Sequence, residues 1–247
     1  MAFQFSVARY LRGQPFKAPL LAWWRESVAW SVFGLLQIPS IRPYCQGKRP
    51  VTFVLVHGYA CTGGVWSRWI EPIQAAGFGL CMPDLEPWVL SRQQSVEQLR
   101  QIIADLPPDQ SLVLVGHSMG GVELALCLRD YPELQARCVR LITLASPHHG
   151  SKLAGLALTP GDGPSTEVDS WLEVAPAVPT TCVVSVDDNL VVPADSASLP
   201  NADNQWLDGA GHLALLNRSD LITTLVSTIN ADLETHQHGN RTNRASV

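Results

Sequence analysis

SLVLVGHSMGG, residues 111–121, is the stretch of this sequence that decides the fold. Its first five residues form a continuous apolar run, which is typical of a strand buried on both faces of a parallel sheet. Gly116 and Gly120 leave room for a tight turn, and a helix is predicted over residues 119–130. A strand, a sharp turn and a helix in this order would expose the hydroxyl of Ser118 above the end of the sheet.

Strands and helices alternate on both sides of this stretch. Further strands are predicted at residues 51–56, 78–82, 139–144, 181–186 and 204–207, and helices at residues 65–76, 92–105 and 213–230. Such alternation is typical of a mostly parallel sheet with helices on both faces. The sequence therefore predicts an α/β fold with a sheet of about six strands and a ligand site beyond their carboxyl ends.

Charge and composition divide the chain into parts. Residues 1–50 carry seven Lys/Arg and one acid, whereas the remainder carries ten bases and twenty-one acids. We predict a helical N-terminal extension over residues 1–50, an α/β domain over residues 51–230 and a flexible polar tail over residues 231–247. A Gly- and Pro-rich segment at about residues 146–180 is predicted to form a short cap on the domain.

Composition also excludes several classes of protein. With 46% apolar and 16% charged residues the chain is not disordered, and its net charge of −5 argues against a nucleic-acid partner. The apolar residues 18–38 contain Arg25 and Glu26, and each charge would cost roughly 2.5–3.5 kcal/mol inside a bilayer, so neither a spanning helix nor a secretory signal is expected. Six cysteines without metal-type spacing predict buried free thiols and a reducing compartment.

A serine nucleophile needs a base, and an imidazole base needs an acid. Among seven histidines, His212 follows the last predicted strand in the loop GAGHL, whose glycines leave the ring free to be aimed. The pair at residues 148–149 is better explained as structural or pocket-lining. Asp187 and Asp188 both follow the strand at 181–186, and periodicity does not separate them; one is expected to face the site, the other to face solvent or cap a helix.

Two backbone N–H groups are candidates for an oxyanion hole. Met119 follows Ser118, and Tyr59 lies in HGY after the first long strand. With these two, Trp88, Leu190 and Leu213 are predicted to line a largely apolar substrate pocket.

Four motifs together resemble the α/β-hydrolase superfamily, in particular its small bacterial lipases and carboxylesterases. They are HGY at 57–59, GHSMGG at 116–121, SVDDNLV at 185–191 and GAGHLALL at 209–216. The acid of small lipases often lies in S-x-x-D-x-x-V, and alignment on this pattern selects Asp188 over Asp187. PHHGS at 147–151 also looks like a lipase-like segment. In contrast to the family, no antiparallel pair of strands is predicted before Val51.

The resemblance implies a serine hydrolase that cleaves carboxylic esters of apolar acyl chains through Ser118, His212 and Asp188. It implies a small-molecule ester or lipid substrate, no cofactor and no metal. One alternative is an acyl thioesterase or acyltransferase with the same three residues. Another is a non-catalytic protein that binds a membrane surface or a partner on a hydrolase scaffold.

The N-terminal extension has two interpretations, which are compatible. It can pack on the domain and cover apolar surface left by the missing strands. Alternatively, Trp23, Trp24 and Trp30 with neighbouring arginines can contact lipid headgroups, which makes residues 1–40 a candidate for peripheral membrane contact. The cysteines predict a cytoplasmic protein and the family resemblance implies a bacterial one; peripheral membrane contact stays one of the two interpretations, and the oligomeric state stays open.

Overall fold

A sheet of seven strands forms the centre of this computed structural model, which describes residues 22, 24–29, 44–85, 92–152 and 172–244. The strands are β1 (Tyr44–Cys45), β2 (Val51–Val56), β3 (Gly79–Cys81), β4 (Ser111–His117), β5 (Cys138–Leu144), β6 (Thr180–Ser185) and β7 (Asp203–Leu207). The helices are α1 (Ser67–Ala75), α2 (Arg92–Asp105), α3 (Met119–Asp130) and α4 (Ser219–Arg244). Residues 24–29 are also helical.

The strands lie in the order β1-β3-β2-β4-β5-β6-β7, and all neighbours pair in parallel except β1 and β3. This arrangement confirms the predicted α/β fold, and each of the six predicted strands lies within two residues of its expected bounds. Because the parallel strands end at the same side, the segments that follow β2, β4, β5 and β6 meet there.

The central strands are buried on both faces, as their uninterrupted apolar sequences predict. Phe53 and Leu55 of β2 belong to one apolar cluster, and Val54 and Val56 belong to a second cluster on the opposite face. Neighbouring β4 alternates in the same way. The sheet is therefore covered on both sides and provides a stiff base for the segments at its carboxyl end.

Two predictions about the ends of the domain were wrong. Tyr44–Cys45 forms a seventh strand, antiparallel to β3, inside the extension that was predicted to be helical. Two residues are too few to give a periodic signal. Helix α4 continues to Arg244, so residues 231–244 of the predicted flexible tail are helical. Their polar composition suggested a loose segment, but helix formers such as Ala, Leu, Glu and Gln need no apolar face to extend a helix.

Three further sequence predictions concern burial, the membrane and the cap. All six cysteines are free thiols, five of them buried and Cys45 half-buried. Among the described residues, we find no helix with the length and hydropathy that crossing a membrane requires. Residues 153–171 lie outside the described residues, and with them most of the predicted cap.

Candidate active site

Ser118 occupies a sharp turn between β4 and α3. Its backbone has φ 55° and ψ −126°, a conformation that costs a side-chain-bearing residue of the order of 1–3 kcal/mol. The N–H of Ser118 donates to the carbonyl of Leu144 on neighbouring β5 at 2.9 Å. A Cβ on Gly116 would overlap the backbone of Gly121, so the turn closes only with glycine at this position. This is the strand–turn–helix geometry that the sequence predicts.

The turn also packs directly against the end of β2. A Cβ on Gly120 would overlap the carbonyl oxygens of Val56 and His57, which cannot move without moving the strand. A Cβ on Gly58 would lie 2.8 Å from the Cβ of Ser118. The loop after β2 and the turn after β4 are therefore in contact at Ser118.

This contact lies where the two predicted oxyanion donors belong. Met119 is the first residue of α3, and the first N–H groups of a helix have no partner within it. Tyr59 follows Gly58, the residue that touches Ser118. The partial positive charge at the start of α3 points toward the same place and favours negative charge there.

His212 and Asp188 form a buried hydrogen-bonded pair. Nδ1 of His212 lies 2.9 Å and 3.1 Å from the two carboxylate oxygens of Asp188, and both side chains are almost fully buried. A carboxylate only accepts, so Nδ1 carries the proton and Nε2 is left as the basic atom. The N–H groups of Leu190 and Val191 each donate to Asp188 Oδ1 at 2.8 Å, which holds the carboxylate in place.

Asp187 has a different function from the one expected for the second aspartate. It neither faces solvent nor caps a helix: it is buried, and its Oδ2 accepts a hydrogen bond from the N–H of Gly209 at 2.6 Å. The two adjacent carboxylates therefore hold two points of one loop, Asp188 at the imidazole and Asp187 at the backbone. Periodicity did not reveal this, because the chain turns between β6 and Asp188 rather than continuing as a strand.

His117 joins the histidine loop to the turn that carries Ser118. Its ring lies 4.6 Å from the ring of His212, between centroids. Its Nε2 donates to the backbone carbonyl of His212 at 3.0 Å, since a carbonyl oxygen only accepts. The residue before Ser118 is thus packed on His212.

The surroundings of the two rings shift their pKa values in opposite directions. Burial lowers the pKa of His212, but the charge and hydrogen bond of Asp188 and the charge of Glu26 outweigh it and raise the pKa above 6.5. Burial, followed by the charge on His212, lowers the pKa of His117 well below 6.5. Of the two rings, His212 is therefore the one that gains a proton more readily, and His117 stays neutral at higher proton concentrations than His212 does.

Glu26 is the residue of this site that sequence reasoning missed. It belongs to the helical residues 24–29, and its buried carboxylate accepts hydrogen bonds from the N–H groups of Leu213 and Ala214. The available signal was a charge inside an apolar helical stretch. Such a charge argues against a membrane helix, but a buried acid also predicts a hydrogen-bond partner.

The remaining predicted site residues are less informative. Leu190 is 39% exposed, and Leu213 belongs to the main apolar cluster, so their pocket-lining role stays a prediction. Trp88 lies outside the described residues.

His148 is fully buried, shares a hydrogen bond with Thr143 at 3.1 Å and has its pKa lowered by burial to about 3. The described part of the chain contains no group of three potential metal ligands.

Two curated plant enzymes match part of the chain. Polyneuridine aldehyde esterase of Rauvolfia serpentina is 32% identical over 95 residues, covering 35% of this chain and 36% of that protein. Methylesterase 2 of Arabidopsis thaliana is 36% identical over 97 residues, again covering 35% of this chain and 36% of the relative. The match spans about a third of the length of these relatives. A family model described as PGAP1-like alpha/beta domain matches residues 89–155, which contain Ser118.

The overall fold has close counterparts among solved structures. The mature form of the Bacillus licheniformis lipase BlEst2 superposes with a TM-score of 0.60 at 19% identity, covering 77% of this chain and 96% of that one. The chain therefore has the fold of this α/β hydrolase, which agrees with the fold that its motifs predicted.

Proposed function

We propose that the chain is a carboxylic ester hydrolase that works through an acyl-enzyme on Ser118. The observation that carries the proposal is the buried Asp188–His212 hydrogen bond, with His117 linking His212 to the turn that presents Ser118. A serine at a helix start, preceded by a residue whose ring packs on an imidazole with a basic outer nitrogen, is an arrangement suited to nucleophilic attack. The esterases among the relatives support the same reaction class.

In this mechanism Ser118 Oγ attacks the ester carbonyl while Nε2 of His212 takes the hydroxyl proton. Asp188 keeps the proton on Nδ1 and stabilises the imidazolium. The N–H groups of Tyr59 and Met119 hold the oxyanion; one such donor is worth roughly 2.7–4 kcal/mol in comparable sites. His212 then protonates the leaving alcohol and activates the water that releases the acid. Each step uses groups of this chain and water.

The proposed substrate is an ester or lipid with an apolar acyl chain. Tyr59, Met119 and Leu190 bring little charge to the neighbourhood of Ser118, which favours an uncharged acyl group. Whether the enzyme is a carboxylesterase or a lipase depends on the acyl length it prefers. A series of p-nitrophenyl esters from acetate to palmitate separates the two, since a lipase has its maximum at long chains.

We also propose that the N-terminal segment touches a membrane surface from the cytoplasmic side. Within residues 24–29, Trp24 is 60% exposed and Val28 is 43% exposed, while Glu26 on the same segment is buried. Trp24 and Val28 line an open groove of about 540 Å³ together with Arg25, Arg68 and Arg218. Exposed tryptophan beside arginine is typical of surfaces that contact anionic lipid headgroups. Packing on the domain and lipid contact are therefore compatible.

Ser118→Ala tests the proposed function. We expect the variant to remain folded, to lose p-nitrophenyl ester hydrolysis by about 10⁴-fold or more, and to lose covalent labelling by a fluorophosphonate. The matched control is Ser198→Ala, which removes a surface hydroxyl that donates to the nearby carbonyl of Asp195. Near-full activity of Ser118→Ala would disprove the nucleophile. Faster turnover of acyl thioesters than of esters would favour the thioesterase, and an unlabelled wild-type protein would favour a binding protein.

A further inference from the structure

Glu26 is held tightly against the loop that carries His212, although 187 residues separate it from Leu213. Its two carboxylate oxygens lie 3.0 Å and 3.1 Å from the nitrogen of Leu213, and Oε2 lies 2.9 Å from the nitrogen of Ala214. These are the two residues directly after His212, at the start of the 3-10 turn Ala214–Asn217. The carboxylate therefore accepts from backbone groups that have no partner within that turn.

The same carboxylate also touches the residue before His212. A Cβ placed on Gly211 would lie 2.5 Å from Glu26 Oε2. Position 211 therefore tolerates only glycine as long as Glu26 keeps its place. Arg25, the residue before Glu26, donates to the carbonyl of Gly209 at 2.8 Å. Two consecutive residues of the segment thus hold the loop on both sides of His212.

We propose that Glu26 is a positioning residue for His212, which fixes the loop from Gly211 to Ala214 and adds a second negative charge behind the imidazole. The inference rests on the proposed function, because it assigns His212 as the base. It differs from a packing role: an acid that merely anchored the N-terminal segment would change stability without changing the titration of His212.

Among the described residues, three charged or titratable groups are seen to face His212 from different elements. Asp188 approaches Nδ1 from the loop after β6, His117 packs on the ring from the end of β4, and Glu26 acts from the helical residues 24–29. The pKa of Glu26 is raised, because burial and the charge of Asp188 outweigh the hydrogen bonds from Leu213 and Ala214 and the charge on His212. Removing the Glu26 charge leaves Asp188 alone to stabilise the imidazolium, so His212 should lose its proton at lower pH.

The experiment follows the rate of fluorophosphonate labelling of Ser118 against pH, in the full chain, for wild type and Glu26→Gln. Labelling needs neutral His212 and no knowledge of the natural substrate. In the profile of labelling rate against pH, the rate falls at low pH as His212 gains a proton, and we call this part of the curve the acid limb. We expect the acid limb of the wild type to lie above pH 6.5 and that of Glu26→Gln to lie about one pH unit lower. The maximum labelling rate of Glu26→Gln, the plateau of the profile, should be about tenfold lower. Glu97→Gln, which removes an exposed carboxylate on α2, is the matched control and should leave the limb in place.

Two further variants keep the inference testable if Glu26→Gln folds poorly. Glu26→Asp retains the charge, so it should restore the position of the acid limb while recovering only part of the plateau rate. Gly211→Ala should slow labelling in the wild type, where it meets the carboxylate, but much less in the Glu26→Ala background, where that carboxylate is gone. Such non-additivity reports direct contact between the two positions.

The outcomes separate the two levels of the proposal. A wild-type protein that takes no fluorophosphonate label would overturn the proposed function and this inference with it. A labelled wild type with an unchanged acid limb in Glu26→Gln, or equal effects of Gly211→Ala in both backgrounds, would overturn the positioning role alone. A lower melting temperature in Glu26→Gln without a shifted limb has the same meaning, since it leaves only an anchoring role.

Discussion

The turn that carries Ser118 and the loop that carries His212 are built in opposite ways. The turn is held by contacts of the glycines at 116 and 120 with backbone nearby, and these contacts involve the ends of two central strands. The loop at residues 209–214 forms no strand or α-helix and is held by side chains from elsewhere. Ser185, Asp187, Asn189, Arg25 and Glu26 each bond to its backbone.

This difference has a physical consequence for the two parts of the site. In a turn made of backbone contacts, an added side chain can be accommodated only by moving backbone. Because that backbone continues into the central strands, the change would displace the sheet. A loop held by several side-chain hydrogen bonds can lose one and keep the others, each contributing about 1 kcal/mol net and more where a charge is involved. Substitutions of the glycines in the turn should therefore damage the fold, and those around the loop should mainly damage the alignment of His212.

The largest expected effect comes from the two adjacent aspartates. Asp188→Asn removes the charge behind His212 and permits the wrong tautomer, so kcat should fall by about 10⁴-fold. Asp187→Asn keeps an oxygen that accepts from Gly209, so it should cost only about tenfold, or about 1.4 kcal/mol. Steady-state hydrolysis of a p-nitrophenyl ester measures both. Equal losses of kcat in the two variants would show that the hydrogen bond to the imidazole matters no more than the one to the loop backbone.

The next effect compares one glycine of each region by chemical unfolding. Gly120→Ala places a methyl group against the carbonyls of Val56 and His57, and we expect a loss of about 3 kcal/mol or more in the free energy of unfolding. Gly211→Ala meets the side chain of Glu26 and no backbone, so Glu26 can shift at the cost of its hydrogen bonds to the loop, and the loss of stability should be smaller. The contrast between turn and loop fails if Gly211→Ala is the more destabilising of the two.

The smallest effect concerns backbone strain. The turn has its positive φ of 55° at Ser118, whereas the histidine loop has its positive φ of 72° at Gly209, which pays no comparable penalty. Ser118→Gly should therefore stabilise the protein by roughly 1–2 kcal/mol in urea unfolding while abolishing hydrolysis. Ser118→Ala keeps a Cβ and serves as the control; a gain of the same size in that variant would show that strain is not the cause.

The same contrast explains how much the sequence predicted. The turn around Ser118, β4 and α3 follow from residues that are neighbours in the chain, and the sequence predicted their bounds closely. Asp188 was selected by resemblance to small lipases, since the two aspartates look alike in periodicity. The partners of Asp187 and Glu26 were not predictable, because each depends on where segments distant in sequence meet after folding. β1 was missed for a similar reason: its two residues form a strand only because β3 lies beside them.

The bond from Glu26 to Leu213 also sets an order of events during synthesis. At typical rates of about 5–20 residues per second, Leu213 emerges from a ribosome roughly 10–40 s after Glu26, which lies 187 positions earlier. Within that interval β4 and its turn emerge, while the acid near the start of the chain still has water as its partner. The base of the site is thus completed last, and an unfinished chain exposes its serine without the means to activate it.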